Sequence, residues 1–107
     1  MVSHKEFEGR ARHGKTTCID CTNDNDENGH GTHVAAIAGG KTFGVANKIN
    51  LVAVKVLNKD GSGSYSDIIA GLAFVLAEHK ANPKQNSVVK CVLYTSFFIY
   101  FCMYKFV

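Results

Sequence analysis

Two histidines stand out as residues that can do chemistry, because both follow a run rich in acids and amides. Residues 23–27 read Asn-Asp-Asn-Asp-Glu and lead to His30 and His33. Apolar residues then recur with helical spacing and end at Gly39-Gly40, a pair typical of a helix end. The pattern predicts a short helix with His30 at or next to its first turn. Near neutral pH an imidazole can accept a proton, as a general base must.

Four residues of this region are also possible zinc ligands. Cys18 and Cys21 form one pair, and His30 and His33 form a second. Eight residues separate the pairs, which is fewer than in the common zinc finger, and the two histidines are closer than a finger requires. We therefore expect no metal or other cofactor. A small zinc-binding module is kept as the less favoured alternative.

The acidic run also resembles the start of a calcium-binding loop. Residues 24–29 alternate Asp, Asp and Asn and end in Gly, but position twelve of such a loop falls on Ala35, where a bidentate Glu is required. We therefore expect no calcium site here. Asp20, Asp24 and Asp26 lie in a polar loop, without a motif around them that indicates catalysis, and we expect them to be solvated loop acids.

Composition limits the class of protein. The chain has 107 residues, which suits one small domain, and 46% of them are hydrophobic, too many for a disordered chain. The net charge is +3 with both signs mixed, and no basic face interleaved with aromatics is visible, so we expect no nucleic-acid partner. Four cysteines leave three full pairings open.

The order of elements indicates an α/β fold. Residues 1–28 look loop-rich, and residues 50–57 form an apolar, β-branched run typical of a strand covered on both faces. Lys55 is the single charge in that run, and it need not be buried if it lies at the strand's end. A helix capped by Ser66 and closed at Asn82-Pro83 follows, and residues 87–89 begin another strand. The pattern predicts a βαβ unit with a right-handed crossover.

The last part of the chain differs in composition. Residues 90–107 contain no Gly, Ala, Asp or Glu and hold seven of the eleven aromatics. The uncharged run is shorter than the roughly 20 residues that a spanning helix needs, so we expect no membrane association. We divide the chain into a domain over residues 1–89 and a divergent hydrophobic, aromatic tail over residues 90–107.

The motif Gly-His-Gly-Thr-His-Val-Ala at residues 29–35 resembles the histidine motif of subtilisin-like serine peptidases, most nearly the proteinase K branch. The resemblance covers roughly residues 2–89 and implies a fragment of a subtilisin-like domain, with a partial parallel sheet and flanking helices. It implies serine endopeptidase chemistry with His30 as the general base. It also implies that Leu57, Gly61, Ser62, Gly63 and Tyr65 line the cleft for a peptide or protein substrate.

The same resemblance sets expectations about activity and location. No Asp-Thr-Gly-like or Gly-Thr-Ser-like motif is present, so we expect the chain alone to be inactive. The alternative from another class is a non-catalytic remnant or interaction module, which would self-associate through open sheet edges and the tail. Family members are commonly secreted, whereas Met1 leads into a polar segment without the look of a signal peptide.

Overall fold

The computed structural model describes the backbone of residues 1–91 and 101–105 and the side chains of residues 1–90. A short 3-10 helix spans Lys5–Phe7. Four strands and two helices follow in the order β1 Ala11–Thr16, α1 His30–Gly39, β2 Asn50–Lys55, α2 Tyr65–Ala81, β3 Ser87–Cys91 and β4 Phe101–Lys105.

The strands form one sheet in the order β1-β2-β4-β3. Strand β1 is parallel to β2, and β4 is antiparallel to both of its neighbours. Strands β2 and β3 therefore run in the same direction on either side of β4, with α2 connecting them. The predicted α/β class with a parallel sheet component and two helices is confirmed, while the handedness of the crossover stays a prediction.

Strand β4 lies within the divergent tail, and its backbone pairs with both β2 and β3. Residues 90–91 of the tail belong to β3, and the rest of the tail, residues 92–100 and 106–107, lies outside the described residues. The proposed domain boundary at residue 89 stays a prediction.

Side chains of β2 alternate between two hydrophobic clusters, as expected for a strand covered on both faces. Leu51 packs with Phe7, Ala35 and Ile49 on the side of α1. The opposite side holds a second cluster of Val52, Val54, Val56, Leu57 and Val75, against which Ile68 and Phe74 also pack. The sheet is therefore the middle layer between α1 and α2.

Helix α2 comes close to the sheet because Gly71 lies at the contact. A Cβ atom added at Gly71 would meet Val56 Cγ1 at 2.5 Å. Only a residue without a side chain permits this approach. The apolar residues of α2 do not all face the sheet, however, since Ile69, Leu72 and Leu76 are exposed.

The structure departs from three sequence-based expectations about local structure. Residues 1–28 are loop-rich as expected but also contain the 3-10 helix and β1. Strand β1 is polar and gains its order from pairing with β2, so it has no apolar pattern of its own. The cap of α2 is Ser64, not Ser66, and the Ser64 hydroxyl accepts a hydrogen bond from the Asp67 N–H at 3.1 Å. Lys55 is buried, with its side chain 6% exposed, because loop residues cover its ammonium group.

Candidate active site

His30 is the first residue of α1, as the motif predicted. Gly29 precedes it with φ 95°, a conformation that glycine adopts without steric cost. The His30 residue is half-buried, and its Nδ1 atom is shielded from solvent. The imidazole is therefore held at the start of a helix with one ring nitrogen turned into the protein.

Asp26 ties the loop before His30 to the first turn of α1. Its Oδ1 accepts hydrogen bonds from the Gly29 N–H at 2.8 Å and the Asn28 N–H at 3.1 Å. Its Oδ2 accepts from Thr32, at 2.8 Å from the N–H and 2.6 Å from the hydroxyl. The expectation that Asp26 is a solvated loop acid is therefore wrong, since its side chain is only 11% exposed.

These hydrogen bonds control the ionisation of Asp26. Burial raises the pKa of this carboxyl group, but the hydrogen bonds from the Thr32 hydroxyl and from the N–H groups of Gly29 and Thr32 outweigh burial. The net effect lowers the pKa of Asp26 from 3.8 to about 2. A charged carboxylate therefore caps the positive end of the helix that begins at His30.

Asn28 connects the loop before His30 to a second loop. Its Oδ1 lies 3.4 Å from the donating His30 N–H, and its Nδ2 donates to the Lys59 carbonyl oxygen at 3.0 Å. Lys59 lies two residues before Gly61, the first of the predicted substrate-binding glycines. The structure thus brings the start of α1 and the loop after β2 together.

The second loop is ordered by Asn58. The Asn58 Oδ1 accepts hydrogen bonds from the N–H groups of Asp60 at 2.9 Å and Ser62 at 3.1 Å. The Asn58 N–H donates to the Ser62 carbonyl at 2.9 Å. Both main-chain polar groups of Ser62 are therefore used within the turn. Gly61 has φ 78°, the left-handed conformation that favours glycine.

Gly63 packs directly against the end of the sheet. A Cβ atom at this position would lie 2.5 Å from the Val56 carbonyl oxygen and 2.6 Å from Leu57 Cδ2. Leu57 is itself 2% exposed and belongs to the core, whereas Tyr65 is 87% exposed at the start of α2. Tyr65 thus offers surface to a ligand and Leu57 offers little, and the cleft roles of all five residues stay predictions.

The zinc hypothesis fails on the cysteines. Cys18 and Cys21 form a disulfide, so neither supplies the thiolate that zinc requires. Cys21 Sγ lies 3.4 Å from the Leu57 carbonyl oxygen, which places the disulfide beside the end of the sheet. Within the part of the chain that the structure describes, no helix combines the length and apolar character needed to cross a bilayer.

The α/β fold, the glycine-rich turn and the histidine at the start of a helix agree with the class of protein that the comparisons identify. A model of the Subtilase family matches residues 4–91, and the chain belongs to this family of serine proteases. A cold adapted subtilisin-like serine proteinase of known crystal structure is similar, with a TM-score of 0.66 and 43% identity. That similarity covers 70% of this chain and 28% of the proteinase.

Individual relatives are also proteases by name. Subtilisin-like protease 2 of Pseudogymnoascus destructans is 60% identical over 74 residues, covering 69% of this chain and 18% of the relative. Subtilase-type proteinase RRT12 of Saccharomyces cerevisiae is 48% identical over 94 residues, covering 86% of this chain and 18% of the relative. The chain thus spans about 18% of the length of these curated relatives.

Sequence reasoning missed the residues that hold the site together. Asp26, Asn28 and Asn58 carry most of the hydrogen bonds that shape the two loops. One signal was available for Asp26, because an Asp side chain in a polar loop often accepts hydrogen bonds from main-chain N–H groups a few residues on. Asn58 is likewise typical of a turn, because asparagine side chains often accept hydrogen bonds from main-chain N–H groups two residues on. The contact of Asn28 with the Lys59 carbonyl leaves no comparable trace in the sequence.

Proposed function

We propose that this chain supplies the general base and one wall of the peptide-binding cleft of a subtilisin-type serine endopeptidase. The observation that carries the proposal is the Asn28 side chain, which links the start of the His30 helix to the loop of Gly61 and Gly63. A base that activates a serine hydroxyl must lie beside the bound peptide, and this link supports that arrangement.

The substrate would bind by main-chain pairing at the glycine segment. Within the turn, Ser62 uses its N–H and C=O, and the Gly61 N–H donates to the Asn58 carbonyl at 3.0 Å. A peptide would therefore pair with the Gly61 carbonyl and with the main chain of Gly63. Pairing of this kind is tolerant of peptide sequence, since main-chain groups supply the hydrogen bonds. Tyr65 is exposed nearby and would contact an apolar side chain of the peptide.

A peptide titration followed by NMR tests this role. Addition of a capped, extended peptide should shift the amide signals of Gly61 and Gly63, and Tyr65→Ala should weaken the affinity. Ile69→Ala is the matched control, since Ile69 is 64% exposed one helical turn further along α2. Equal effects of the two substitutions, or shifts confined to other residues, would contradict the proposed cleft.

We also propose that the isolated chain does not hydrolyse peptides. The chain carries the histidine motif, but no motif for the catalytic serine or for the acid that orients the base. Loss of one triad member lowers turnover by about three orders of magnitude or more. A serine-directed fluorophosphonate should therefore not label the protein, and labelling that disappears in His30→Ala would overturn this proposal.

An interaction module is the second candidate, and the exposed valines of β3 favour it. In the part of the sheet that the structure describes, β1 and β3 are the outer strands. Val88 is 51% and Val89 39% exposed on β3. Outer strands with apolar side chains pair readily with other chains. Self-association should therefore rise with concentration in sedimentation experiments and fall in Val88→Lys, and a monomer at all concentrations would exclude it.

By family resemblance we propose that the protein is secreted. The disulfide between Cys18 and Cys21 supports this location, because disulfides persist mainly in oxidising compartments. The test is the share of the protein that is recovered from the medium of the producing cells, and retention inside the cells would count against secretion.

A further inference from the structure

Lys55 carries a buried ammonium group at the end of β2. Its side chain is 6% exposed, and its Nζ donates to the carbonyl oxygens of Asn23 at 3.0 Å and Asn25 at 2.7 Å. A third contact joins Nζ to Glu27 Oε1 at 3.2 Å. Burial of a charge is costly unless it is paired and hydrogen-bonded, and here all three donors of the ammonium group have an acceptor.

The three acceptors belong to one short loop, and they lie on both sides of Asp26. Asn25 comes directly before Asp26 and Glu27 directly after it. Lys55 therefore holds the main chain on both sides of the Asp26 carboxylate. A surface loop without such contacts would sample many conformations, and ordering each of its residues costs conformational entropy.

A continuous series of contacts leads from Lys55 to the imidazole. Lys55 holds the loop, the loop places the Asp26 carboxylate, and the carboxylate accepts hydrogen bonds from Gly29 and Thr32 on either side of His30. Lys55 thus fixes the first turn of α1 relative to β2. Its own contacts are with residues 23, 25 and 27, so it acts on the histidine through the loop.

We propose that Lys55 is a positioning residue for His30, acting through the loop of residues 23–27 and the Asp26 carboxylate. The inference rests on the proposed role of His30 as general base. Its test measures the surroundings of the imidazole ring in the full chain and requires no peptide binding or hydrolysis.

Two substitutions at this contact differ in severity. Lys55→Met keeps an unbranched chain of similar volume and removes all three donors. Glu27→Ala removes one acceptor and leaves the two carbonyl contacts of the ammonium group. Lys15→Met is the matched control, because Lys15 is an exposed lysine on the neighbouring strand β1.

NMR spectroscopy of the full chain near neutral pH measures the imidazole signal of His30 and the exchange rate of the Thr32 amide. In Lys55→Met the imidazole Cε1–H signal of His30 should move, and the amide of Thr32 should exchange with solvent about tenfold faster as its acceptor loses order. Glu27→Ala should change the His30 signal and the Thr32 exchange rate in the same direction, but by smaller amounts. The signal of His79 on α2 should stay in place in every variant, as should all signals in Lys15→Met.

The result that overturns the inference is a folded Lys55→Met chain with the wild-type His30 signal and Thr32 exchange rate. If Lys55→Met does not fold, unchanged values in Glu27→Ala overturn it equally. A movement of the His79 signal as large as that of His30 would show a general structural role and would also contradict positioning. Failure of the peptide titration would refute the proposed cleft and leave this result unaffected.

Discussion

Replacement of Asp26 by asparagine removes the charge that caps α1 and keeps the size of the side chain. Folding lowers the pKa of Asp26 from 3.8 to about 2, so the ionised carboxylate stabilises the folded chain. A tenfold change in proton affinity corresponds to about 1.4 kcal/mol, and the stabilisation at neutral pH is therefore about 2 kcal/mol. This value lies at the upper end of the roughly 0.5–2 kcal/mol that a helix cap contributes.

The pH dependence follows from the direction of this change. Because the pKa of Asp26 is lower in the folded chain, its contribution is complete well above pH 3.8 and is lost as the pH falls towards about 2. Asparagine does not titrate in this range. The stabilities of the wild type and Asp26→Asn should therefore differ most at neutral pH and approach each other in acid.

Urea unfolding followed by circular dichroism measures the difference. The wild type, Asp26→Asn and Asp24→Asn should be compared at neutral pH and at about pH 3, where roughly half of the contribution remains. Asp24 is the matched control, since its side chain is 55% exposed and belongs to the same loop. A deficit in Asp26→Asn that is equal at both pH values, or an equal deficit in Asp24→Asn, would refute the reasoning.

Three further substitutions test the packing and the turn. Gly71→Ala should lower the free energy of unfolding by about 1–3 kcal/mol in urea, because the collision with buried Val56 outweighs the gain of about 1 kcal/mol in helix propensity; a stabilised variant would contradict this packing. Phe7→Ala should cost about 3–5 kcal/mol in the same assay, since Phe7 is 2% exposed, and a loss below about 1 kcal/mol would contradict its place in the core. Asn58→Ala should speed amide exchange at Ser62 by about tenfold or more, as its acceptor disappears, and unchanged exchange would show that the turn does not depend on this side chain.

The sequence was sufficient where a local pattern coincided with the final structure. Helix α1 begins at His30 and ends at Gly39, as its helical spacing and the final glycine pair indicated. Strand β2 is covered on both faces, as its nearly continuous apolar run indicated. Strand β1 could not be predicted in this way, because its polar residues gain order only by pairing with β2. The insertion of β4 between β2 and β3 is likewise a long-range pairing that local propensity does not specify.

The candidate site shows the same division. The motif predicted His30 as the base, and the resemblance to the family predicted the glycine segment; the roles of both stay predictions. Asp26 and Asn58 order these segments through contacts with residues two to six positions away. Other contacts join positions far apart in the chain, such as Asn28 with Lys59 and Lys55 with Asn23. Such contacts depend on where the folded backbone places each carbonyl group, and neither residue type nor spacing encodes that.

Because side chains alternate along β2, Lys55 also affects the register in which β2 pairs with β1. Lys55 faces the loop, while its neighbours Val54 and Val56 enter the core beneath α2. A shift of β2 by one residue against β1 would exchange the two faces and place the ammonium group against the apolar side chains of α2, namely Ile68, Phe74 and Val75. The shifted sheet would bury a cation without water or hydrogen-bond acceptors, which is costly. The single charge in this apolar strand therefore disfavours a pairing of β2 and β1 that is out of register by one residue.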